Sequence, residues 1–205
     1  MYKTIIHKAL LPALFLGATL QAQARTEEAV FAGGCFWCTE SDFEKLDGVI
    51  SAESGYTGGP EKNPTYRQVS SGRTRHIESV RVTYDPDKVS YETLLYTYWR
   101  SVDPTVANKQ FCDSGPHYRT AIFYKGKEQE DAAKQSLKAL QDSKRFPKIY
   151  TDLYALGDFW PAEEYHQDYY KKNPIRYNFY RSRCGRDNRL EQIWGKEAGT
   201  HKPTP

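Results

Sequence analysis

The sequence predicts a single layered domain of the α/β or α+β class. The chain has 205 residues, which is the size of one ordinary domain. Short apolar segments typical of strands alternate with amphipathic segments typical of helices along most of that length. Long loops interrupt the alternation, so we expect layered strands and helices rather than a regular doubly wound sheet.

Each predicted element follows from a local pattern. Strands are predicted at 29–32, 49–54, 76–84, 119–125 and 149–156. Helices are predicted at 36–46, 91–100, 128–143 and 163–171. Ser90 fits the N-cap of the second helix, and Asn173-Pro174 ends the fourth. Residues 103–118 are expected to be irregular.

The first 24 residues have the pattern of a secretory signal peptide. Lys3 and Lys8 make the start basic, 9–20 is apolar, and Ala22-Gln23-Ala24 fits the small-x-small cleavage rule. The alternative is a short membrane anchor, but the apolar run is too short to span a bilayer comfortably. We therefore expect a cleavable signal peptide at 1–24 and an exported, periplasmic protein.

The rest of the chain is expected to be one domain over 25–199, followed by a disordered tail at 200–205. The full chain carries 29 basic and 26 acidic residues, and 1–24 contains two lysines and no acid, which leaves 27 against 26 and a net charge of +1. A nearly neutral chain offers no electrostatic basis for binding nucleic acid or a membrane surface.

Four cysteines follow the predicted signal peptide: Cys35, Cys38, Cys112 and Cys184. An even number of cysteines in an oxidising compartment often forms structural disulfides. A domain of about 180 residues can nevertheless bury enough apolar surface to fold without them. The cysteine count alone therefore leaves structural and catalytic roles open.

The segment 33–40 is the most informative part of the sequence. Two glycines follow a strand and allow a sharp turn into a helix, which places Cys35 at the helix N-terminus. Backbone N–H groups and the helix dipole favour a thiolate there, and a thiolate is the nucleophilic form. The adjacent Phe36 and Trp37 can shape an apolar pocket beside the sulfur.

Two other roles for the pair of Cys35 and Cys38 carry less weight. A zinc site needs a second pair of cysteines or histidines at short spacing, and the sequence has none. A purely structural disulfide is disfavoured, because this spacing at a helix start makes a strained bridge that suits redox chemistry.

Glu78 is a candidate proton donor in the third predicted strand. Alternation places it on the same apolar face as Val80 and Val82. A carboxylate there is costly unless it is protonated or paired, and a raised pKa would make it a general acid near neutral pH. An ion pair with Arg73 or Arg75 is an equally good reading of the pattern alone.

Two polar segments carry weaker signals. The loop 113–119 suits either a functional role or simple turn chemistry, and turn chemistry is favoured from the residues alone. Glu163, Glu164 and His166 lack the helical spacing of a zinc protease motif, so a solvated or helix-capping role is expected for them.

The motifs taken together resemble those of A-type peptide methionine sulfoxide reductases. They lie, in family order, at 34–37 with Glu40, 55–59, 63–66, 76–78, 84–86, 115–122, 165–167 and 173–174. The similarity runs from about Val30 to Trp194. The resemblance implies an α+β fold, a two-layer α/β sandwich with a mixed sheet and extensive coil, and makes 25–199 a single catalytic domain.

The resemblance also implies a repair reaction on methionine S-sulfoxide. The thiol becomes a sulfenic acid, a second thiol of the chain converts it to a disulfide, and an external thioredoxin-type reductant restores the enzyme. No bound cofactor or metal is implied.

Family roles carry over to seven positions. The nucleophile corresponds to Cys35 and the acid to Glu78. The residues that cradle the substrate methyl group correspond to Phe36 and Trp37. The oxygen-binding tyrosines correspond to Tyr56 and Tyr118, and the site aspartate corresponds to Asp113.

The resolving cysteine stays open between Cys184 and Cys38. Many family members have glycine where Cys38 stands, and often asparagine where Cys112 stands. Cys184 is favoured, because a flexible, glycine-flanked C-terminal segment can fold back towards Cys35. Cys38 is close enough in sequence to bridge Cys35 directly, and Cys112 is the weakest candidate.

Two rival classes of protein share part of this pattern. A thioredoxin-like oxidoreductase shares the paired cysteines but usually has small residues or proline between them. A disulfide-stapled binding module would contain no unusually reactive thiol.

Overall fold

The computed structural model describes residues 25–199. The predicted signal peptide at 1–24 and the predicted tail at 200–205 lie outside these described residues. Within 25–199, no helix combines the length and the apolarity needed to cross a membrane.

A mixed six-stranded sheet forms one layer of the domain. The strands are β1 (Glu27–Gly33), β2 (Val49–Thr57), β3 (Ile77–Tyr84), β4 (Lys109–Gln110), β5 (Asp113–Ser114), β6 (Thr120–Tyr124), β7 (Asp152–Ala155) and β8 (Trp160–Pro161). The order in the sheet is β7-β6-β1-β3-β2-β8, and β4 and β5 form a separate two-stranded ribbon. Only β6 and β7 pair in parallel in the six-stranded sheet, so the predicted mixed sheet is confirmed.

Helices and short turns make up the second layer. The helices are α1 (Phe36–Phe43), α2 (Tyr66–Ser70), α3 (Tyr91–Arg100), α4 (Gly126–Asp142), α5 (Tyr169–Lys172), α6 (Pro174–Arg183) and α7 (Arg186–Trp194). Single 3₁₀ turns lie at Pro116–Tyr118, Glu164–His166 and Gly195–Glu197. Helix α3 has its predicted bounds, and the Ser90 hydroxyl caps it by accepting the N–H of Thr93 at 3.2 Å.

The C-terminal third differs from the sequence prediction. The helix predicted at 163–171 is divided, because Asp168 adopts a left-handed backbone (φ 53°) between a 3₁₀ turn and α5. The segment around Cys184 was expected to be flexible, but it joins α6 to α7. Leu190 and Trp194 of α7 are buried in the core, and this tertiary contact orders a segment with a weak amphipathic pattern.

The main core lies between the sheet and the helices. Phe31 of β1 stacks on Phe43 of α1 and Tyr98 of α3, with ring centroids 4.8 and 5.2 Å apart. The opposite face of β1 carries Val30 and Ala32, which belong to a much smaller apolar cluster. One large core on one face of the sheet confirms the two-layer α+β prediction.

The turn from β1 into α1 requires glycine. Gly34 has φ 84°, and a Cβ on it would lie 2.5 Å from Cβ of Gln110. A Cβ on Gly33 would lie 2.8 Å from the Thr39 hydroxyl. These two constraints hold the backbone so that Cys35 becomes the N-cap residue of α1.

Candidate active site

The predicted thiol opens onto a cavity of about 270 Å³. Its lining residues are Cys35, Phe36, Trp37, Tyr66, Glu78, Asp113, Tyr118 and Tyr180. Six of these eight residues are predicted site residues. They come together only in the fold, because the eight residues lie in five separate segments of the chain. Tyr66 and Tyr180 were not assigned a role.

Among residues 25–199, three larger grooves, of about 290, 490 and 730 Å³, lie elsewhere on the protein. None of these three is lined by a cysteine. A choice by size alone would therefore place the active site in a groove without a cysteine. The smaller cavity is the candidate active site because it contains the predicted nucleophile, Cys35.

Cys35 and Cys38 form a buried pair of free thiols, which we call the inner pair. Cys35 is 7% exposed and Cys38 is 2% exposed. Cys35 is the N-cap residue of α1 and Cys38 is its third helical residue. A hydrogen-bond interaction between the two thiols shifts the pKa of each of them.

Within the inner pair, the pKa of Cys35 is raised and the pKa of Cys38 is lowered. Burial, and then the hydrogen bond to Cys38, raise the pKa of Cys35 well above its usual value. The same hydrogen bond, with Arg186 and Arg181 nearby, lowers the pKa of Cys38. The helix start is predicted to favour a thiolate at Cys35, and burial acts against it by raising the pKa of this thiol. Cys38 is instead a ready acceptor for the Cys35 proton.

Glu78 is a buried carboxyl group that faces the same cavity. It is 1% exposed, and burial raises its pKa to about 8 although the Phe36 N–H donates to it at 3.1 Å. Within residues 25–199, no ion pair involves Glu78. Arg73 donates to Ser71 instead, so the alternative of an arginine pair is wrong and the carboxyl is mainly protonated at neutral pH.

Phe36 and Trp37 form the apolar wall of the cavity. The Trp37 ring stacks on Tyr169 at 3.7 Å with an interplanar angle of 5°, and its indole N–H donates to Nδ1 of His166 at 3.0 Å. His166 also lies 4.9 Å from the Phe36 ring, centroid to centroid. The position of this wall thus depends on His166, which lies 129 residues after Trp37 in the sequence.

The expected solvated role for this segment holds only for Glu164, which pairs with Lys172 at the surface. His166 is 2% exposed, and burial lowers its pKa to about 4, so its neutral ring accepts the Trp37 N–H. Glu163 accepts the Tyr56 hydroxyl and the Tyr66 N–H, each at 2.9 Å. A solvated role is therefore wrong for both residues. His166 supports the cavity wall, and Glu163 has the alternative helix-capping role, because Tyr66 is the first residue of α2.

Tyr66 occupies the position expected for Tyr56. Tyr56 is fully buried, is absent from the cavity lining, and gives its hydroxyl to Glu163. Tyr66 and Tyr118 both line the cavity. Burial raises the pKa of Tyr66 to about 12 and also raises that of Tyr118, so both hydroxyls can donate. Tyr66 lies in the 63–66 motif, for which the sequence predicts no function.

Asp113 lines the cavity opposite the thiol, together with Tyr180 of α6. The Tyr180 hydroxyl donates to Asp113 at 2.5 Å. Burial raises the pKa of Asp113. Tyr180 gave no sequence signal, because it reaches the site only through the docking of α6.

Cys112 and Cys184 form a disulfide, which we call the outer pair. Their Cα atoms are 4.8 Å apart across 72 residues of sequence. Cys112 directly precedes Asp113, and Cys184 lies one helical turn after Tyr180, so the outer pair adjoins the cavity. Cys112 is exposed and Cys184 is half-buried. Cys184, the favoured resolving cysteine, is thus bonded to Cys112, the weakest candidate, because α6 carries Cys184 to the cavity.

A buried thiol pair, a protonated carboxyl group in one aromatic cavity and an adjoining disulfide define a thiol-dependent oxidoreductase. The chain belongs to the peptide methionine sulfoxide reductase family, whose model matches residues 27–198. This membership excludes both rival classes, the thioredoxin-like oxidoreductase and the stapled binding module.

Curated relatives support the same family. The chain is 52% identical to peptide methionine sulfoxide reductase MsrA 2 of Caulobacter vibrioides, covering 88% of this chain and 92% of that protein. It is 50% identical to MsrA of Bacillus licheniformis, covering 84% and 96%. A Vibrio cholerae MsrA/MsrB is 51% identical over 88% of this chain, which spans only 48% of that protein.

Solved structures share the fold. Reduced Mxr1 of Saccharomyces cerevisiae is 31% identical with a TM-score of 0.69, covering 74% of this chain and 88% of that one. Methionine sulfoxide reductase A of Corynebacterium diphtheriae is 34% identical with a TM-score of 0.69, covering 77% and 79%.

Proposed function

We propose that this protein reduces methionine S-sulfoxide, free or within proteins, to methionine, and so repairs oxidised proteins. The observation that carries the proposal is the convergence of a buried thiol, Cys35, and a buried carboxyl group, Glu78, on one cavity. A sulfoxide needs both groups, because its sulfur accepts a nucleophile while its oxygen must leave as a protonated species. Each of the two reductase types handles one sulfoxide epimer, and family membership indicates the S epimer here.

The cavity suits the two ends of a methyl sulfoxide. The methyl group packs against Phe36 and Trp37, which make the apolar wall. The sulfoxide oxygen accepts hydrogen bonds from the hydroxyls of Tyr66 and Tyr118 and from the Glu78 carboxyl. Donors held in a buried site stabilise developing charge without reorganisation, so they favour the transition state over the bound substrate.

The chemical step moves one oxygen atom and two electrons. Cys35 passes its proton to Cys38, and the resulting thiolate attacks the sulfoxide sulfur. Glu78 protonates the oxygen and the sulfur–oxygen bond breaks, which leaves the substrate sulfur as a sulfonium bonded to the Cys35 sulfur. The released hydroxide attacks the Cys35 sulfur, the sulfur–sulfur bond breaks, methionine leaves and Cys35 becomes a sulfenic acid. The substrate sulfur is reduced and the Cys35 sulfur is oxidised, so no cofactor enters the balance.

A second thiol of the chain then condenses with the sulfenic acid and releases water, which leaves an intramolecular disulfide. An external thioredoxin-type dithiol reduces that disulfide and completes the cycle. The exposed Cys112 of the outer pair supports this step, since a protein reductant needs access to a sulfur. Mxr1 of Saccharomyces cerevisiae has been solved in complex with Trx2.

We also propose that residues 1–24 direct export to the periplasm, as their basic, apolar and small-residue pattern indicates. Cell fractionation and N-terminal sequencing of the full chain would test this. A mature protein beginning near Arg25 in the periplasmic fraction is expected, and an uncleaved cytosolic product would contradict it.

Single-turnover mass spectrometry tests the activity. The reduced enzyme is mixed with methionine S-sulfoxide without reductant, and methionine and cysteine oxidation are both measured. The wild type should release methionine and lose free thiols, whereas Cys35→Ser should do neither. Methionine R-sulfoxide is the matched substrate control. Absence of methionine from the S epimer with a folded enzyme would refute the proposal.

A further inference from the structure

The aromatic wall of the cavity depends on four consecutive residues, His166 to Tyr169, which we call the wall segment. Its first residue accepts the Trp37 indole N–H at 3.0 Å, and its last residue stacks on the Trp37 ring at 3.7 Å. The Trp37 ring is therefore held at its edge and on its face by one short stretch of chain. Both contacts form together only if the backbone between them turns in the required direction.

The turn within the wall segment lies at Asp168. Its φ of 53° is left-handed, a conformation that is unfavourable for a residue with a Cβ atom and that persists where the surroundings hold it. The Asp168 side chain does not cap α5 and pairs with Lys171 at 2.8 Å instead. A contact from another element is therefore needed to hold the turn.

Glu40 supplies that contact from α1. One of its carboxyl oxygens accepts the Asp168 N–H at 2.6 Å, so the hydrogen bond is made to the turn residue itself. The other carboxyl oxygen accepts the hydroxyl of Ser54 on β2. Glu40 is 0% exposed and follows Trp37 by three residues, so the two side chains lie on the same side of α1. One carboxyl group thus joins α1, β2 and the wall segment.

We propose that Glu40 is a positioning residue for substrate binding. It holds the turn at Asp168, and the turn keeps Tyr169 and His166 in contact with Trp37. Glu40 is absent from the cavity lining, so it acts on the bound methyl group only through this wall. The inference rests on the proposed function and adds a residue to which the family resemblance assigns no role.

The chemistry of the position favours a holding role over simple packing. A fully buried carboxyl group is costly unless polar groups satisfy it, and among residues 25–199 Glu40 has two hydrogen-bond donors and no ion pair. Burial raises its pKa to about 7, and the hydrogen bonds from Ser54 and Asp168 oppose this rise by favouring the charged form. Hydrogen bonds to a charged acceptor are stronger than those to a neutral one. The two donors therefore account for a carboxyl group where an apolar side chain would fill the space at lower cost.

Gln167 holds the wall segment in a different way. Its side-chain amide accepts the Ser54 N–H at 2.9 Å and donates to the Ser54 carbonyl at 2.8 Å. These bonds fix the position of the segment on β2, but they end one residue before the turn. Glu40 contributes the direction of the turn, which determines where the Tyr169 ring lies.

Glu44 offers a matched control on the same helix. It lies one turn after Glu40, and its carboxylate accepts the Tyr170 hydroxyl and pairs with Lys171 at 2.6 Å. Neither of these α5 residues lines the cavity. Glu44→Ala therefore removes a carboxylate that also binds α5, but it leaves the hydrogen bond to the turn in place.

Steady-state kinetics with methionine S-sulfoxide at saturating dithiothreitol test the proposal. A methyl group that fits an apolar pocket contributes about tenfold or more to binding, so a displaced wall should raise KM by about threefold to tenfold. Glu40→Ala should show this rise with a smaller change in kcat, and Glu44→Ala should keep the wild-type values. Glu40→Gln should also keep them, because its amide oxygen accepts the Asp168 N–H and its amide nitrogen donates to the Ser54 hydroxyl oxygen.

A double-mutant cycle separates a positioning role from a general structural one. If Glu40 acts through Tyr169, Glu40→Ala combined with Tyr169→Ala should raise KM no further than Tyr169→Ala alone. Multiplied effects in the double variant, or an equal rise in KM for Glu44→Ala, would overturn the proposal. If Glu40→Ala fails to fold, Glu40→Asp takes its place in the cycle, because it keeps the charge but is one methylene too short to reach both donors.

The Trp37 indole N–H gives a readout that does not depend on activity. Its exchange with solvent, followed by NMR with Trp37→Phe to identify the signal, should be faster in Glu40→Asp than in the wild type and Glu44→Ala. If no methionine is formed but this exchange is faster, the proposed function is wrong and the hold of Glu40 on the wall stands. If methionine is formed but neither KM nor the exchange changes, the positioning role is wrong and the activity stands.

Discussion

Replacing Glu78 by glutamine separates proton donation from the other properties of the side chain. Glutamine has nearly the same size, and its carbonyl oxygen can still accept the Phe36 N–H that Glu78 accepts at 3.1 Å. Its amide can donate a hydrogen bond to the sulfoxide oxygen but cannot transfer a proton. Glu78→Gln therefore removes the acid and leaves the packing in place.

The expected loss of activity follows from the pKa of about 8. At pH 7 about nine in ten Glu78 carboxyls are protonated, whereas a carboxyl with the ordinary pKa of 4.5 would be protonated in about one molecule in 300. General acids contribute about 10²–10⁴-fold to rate. The rate of methionine formation by Glu78→Gln at pH 7, measured by rapid quench, should fall within that range.

The same substitution should change how stability depends on pH. Because folding raises the pKa of Glu78 above its unfolded value, the proton binds the folded state more tightly. That stabilisation is fully present below pH 4.5 and is lost as the pH rises through about 8. At 1.36 kcal/mol for each pH unit between the two pKa values, the loss is up to about 5 kcal/mol.

Urea denaturation at pH 5 and pH 9 checks this prediction. Between these pH values, wild-type stability should fall by several kcal/mol more than that of Glu78→Gln. Glu40, whose pKa burial raises to about 7, adds a slope of the same sign to both proteins and cancels in the comparison. The matched control Glu92→Gln, at an exposed position of α3, should follow the wild type. Parallel stability curves for Glu78→Gln and the wild type, or full activity of the variant, would refute the reasoning.

Three further predictions concern the walls of the cavity and the core. Tyr66→Phe should lower kcat/KM by about 10–10³-fold through loss of an oxygen-binding donor, whereas Tyr56→Phe should cost much less; equal losses would return the oxygen-binding role to Tyr56. Tyr169→Ala removes the ring stacked 3.7 Å from Trp37, so steady-state kinetics should show KM raised several-fold with a smaller change in kcat, and an unchanged KM would contradict a substrate-binding wall. Phe31→Ala should lower the free energy of unfolding by about 3–5 kcal/mol in urea titrations, because Phe31 is fully buried against two aromatic rings.

Local patterns predicted the parts of the site that depend on local geometry. Two glycines before Cys35 place it at a helix start, because only glycine fits the close approach of Gln110 to that turn. Strand alternation placed Glu78 among apolar side chains, and its burial follows from that face alone. Helix α3 with its Ser90 cap was predicted to the residue for the same reason.

Family resemblance located further residues, but it assigned one of them wrongly. Both Tyr56 and Tyr66 lie in quoted motifs, and nothing in the order of residues states which hydroxyl reaches the cavity. Glu163, which lies 107 residues after Tyr56, accepts a hydrogen bond from the Tyr56 hydroxyl and leaves Tyr66 as the tyrosine that lines the cavity. The neighbouring residues in the sequence do not show whether a hydroxyl is hydrogen-bonded to a distant residue, as Tyr56 is to Glu163, or is free to bind a substrate.

The reactive thiol at Cys35, the buried acid at Glu78 and the aromatic wall were determined by the sequence itself, through short-range turns and periodicity. The tertiary structure decided the partners of these residues. The bond from Trp37 to His166 spans 129 residues, and the disulfide of the outer pair spans 72. Such contacts depend on where irregular loops and the weakly patterned helices α6 and α7 dock. That docking is set by packing against the finished core, and no periodic pattern along the chain encodes it.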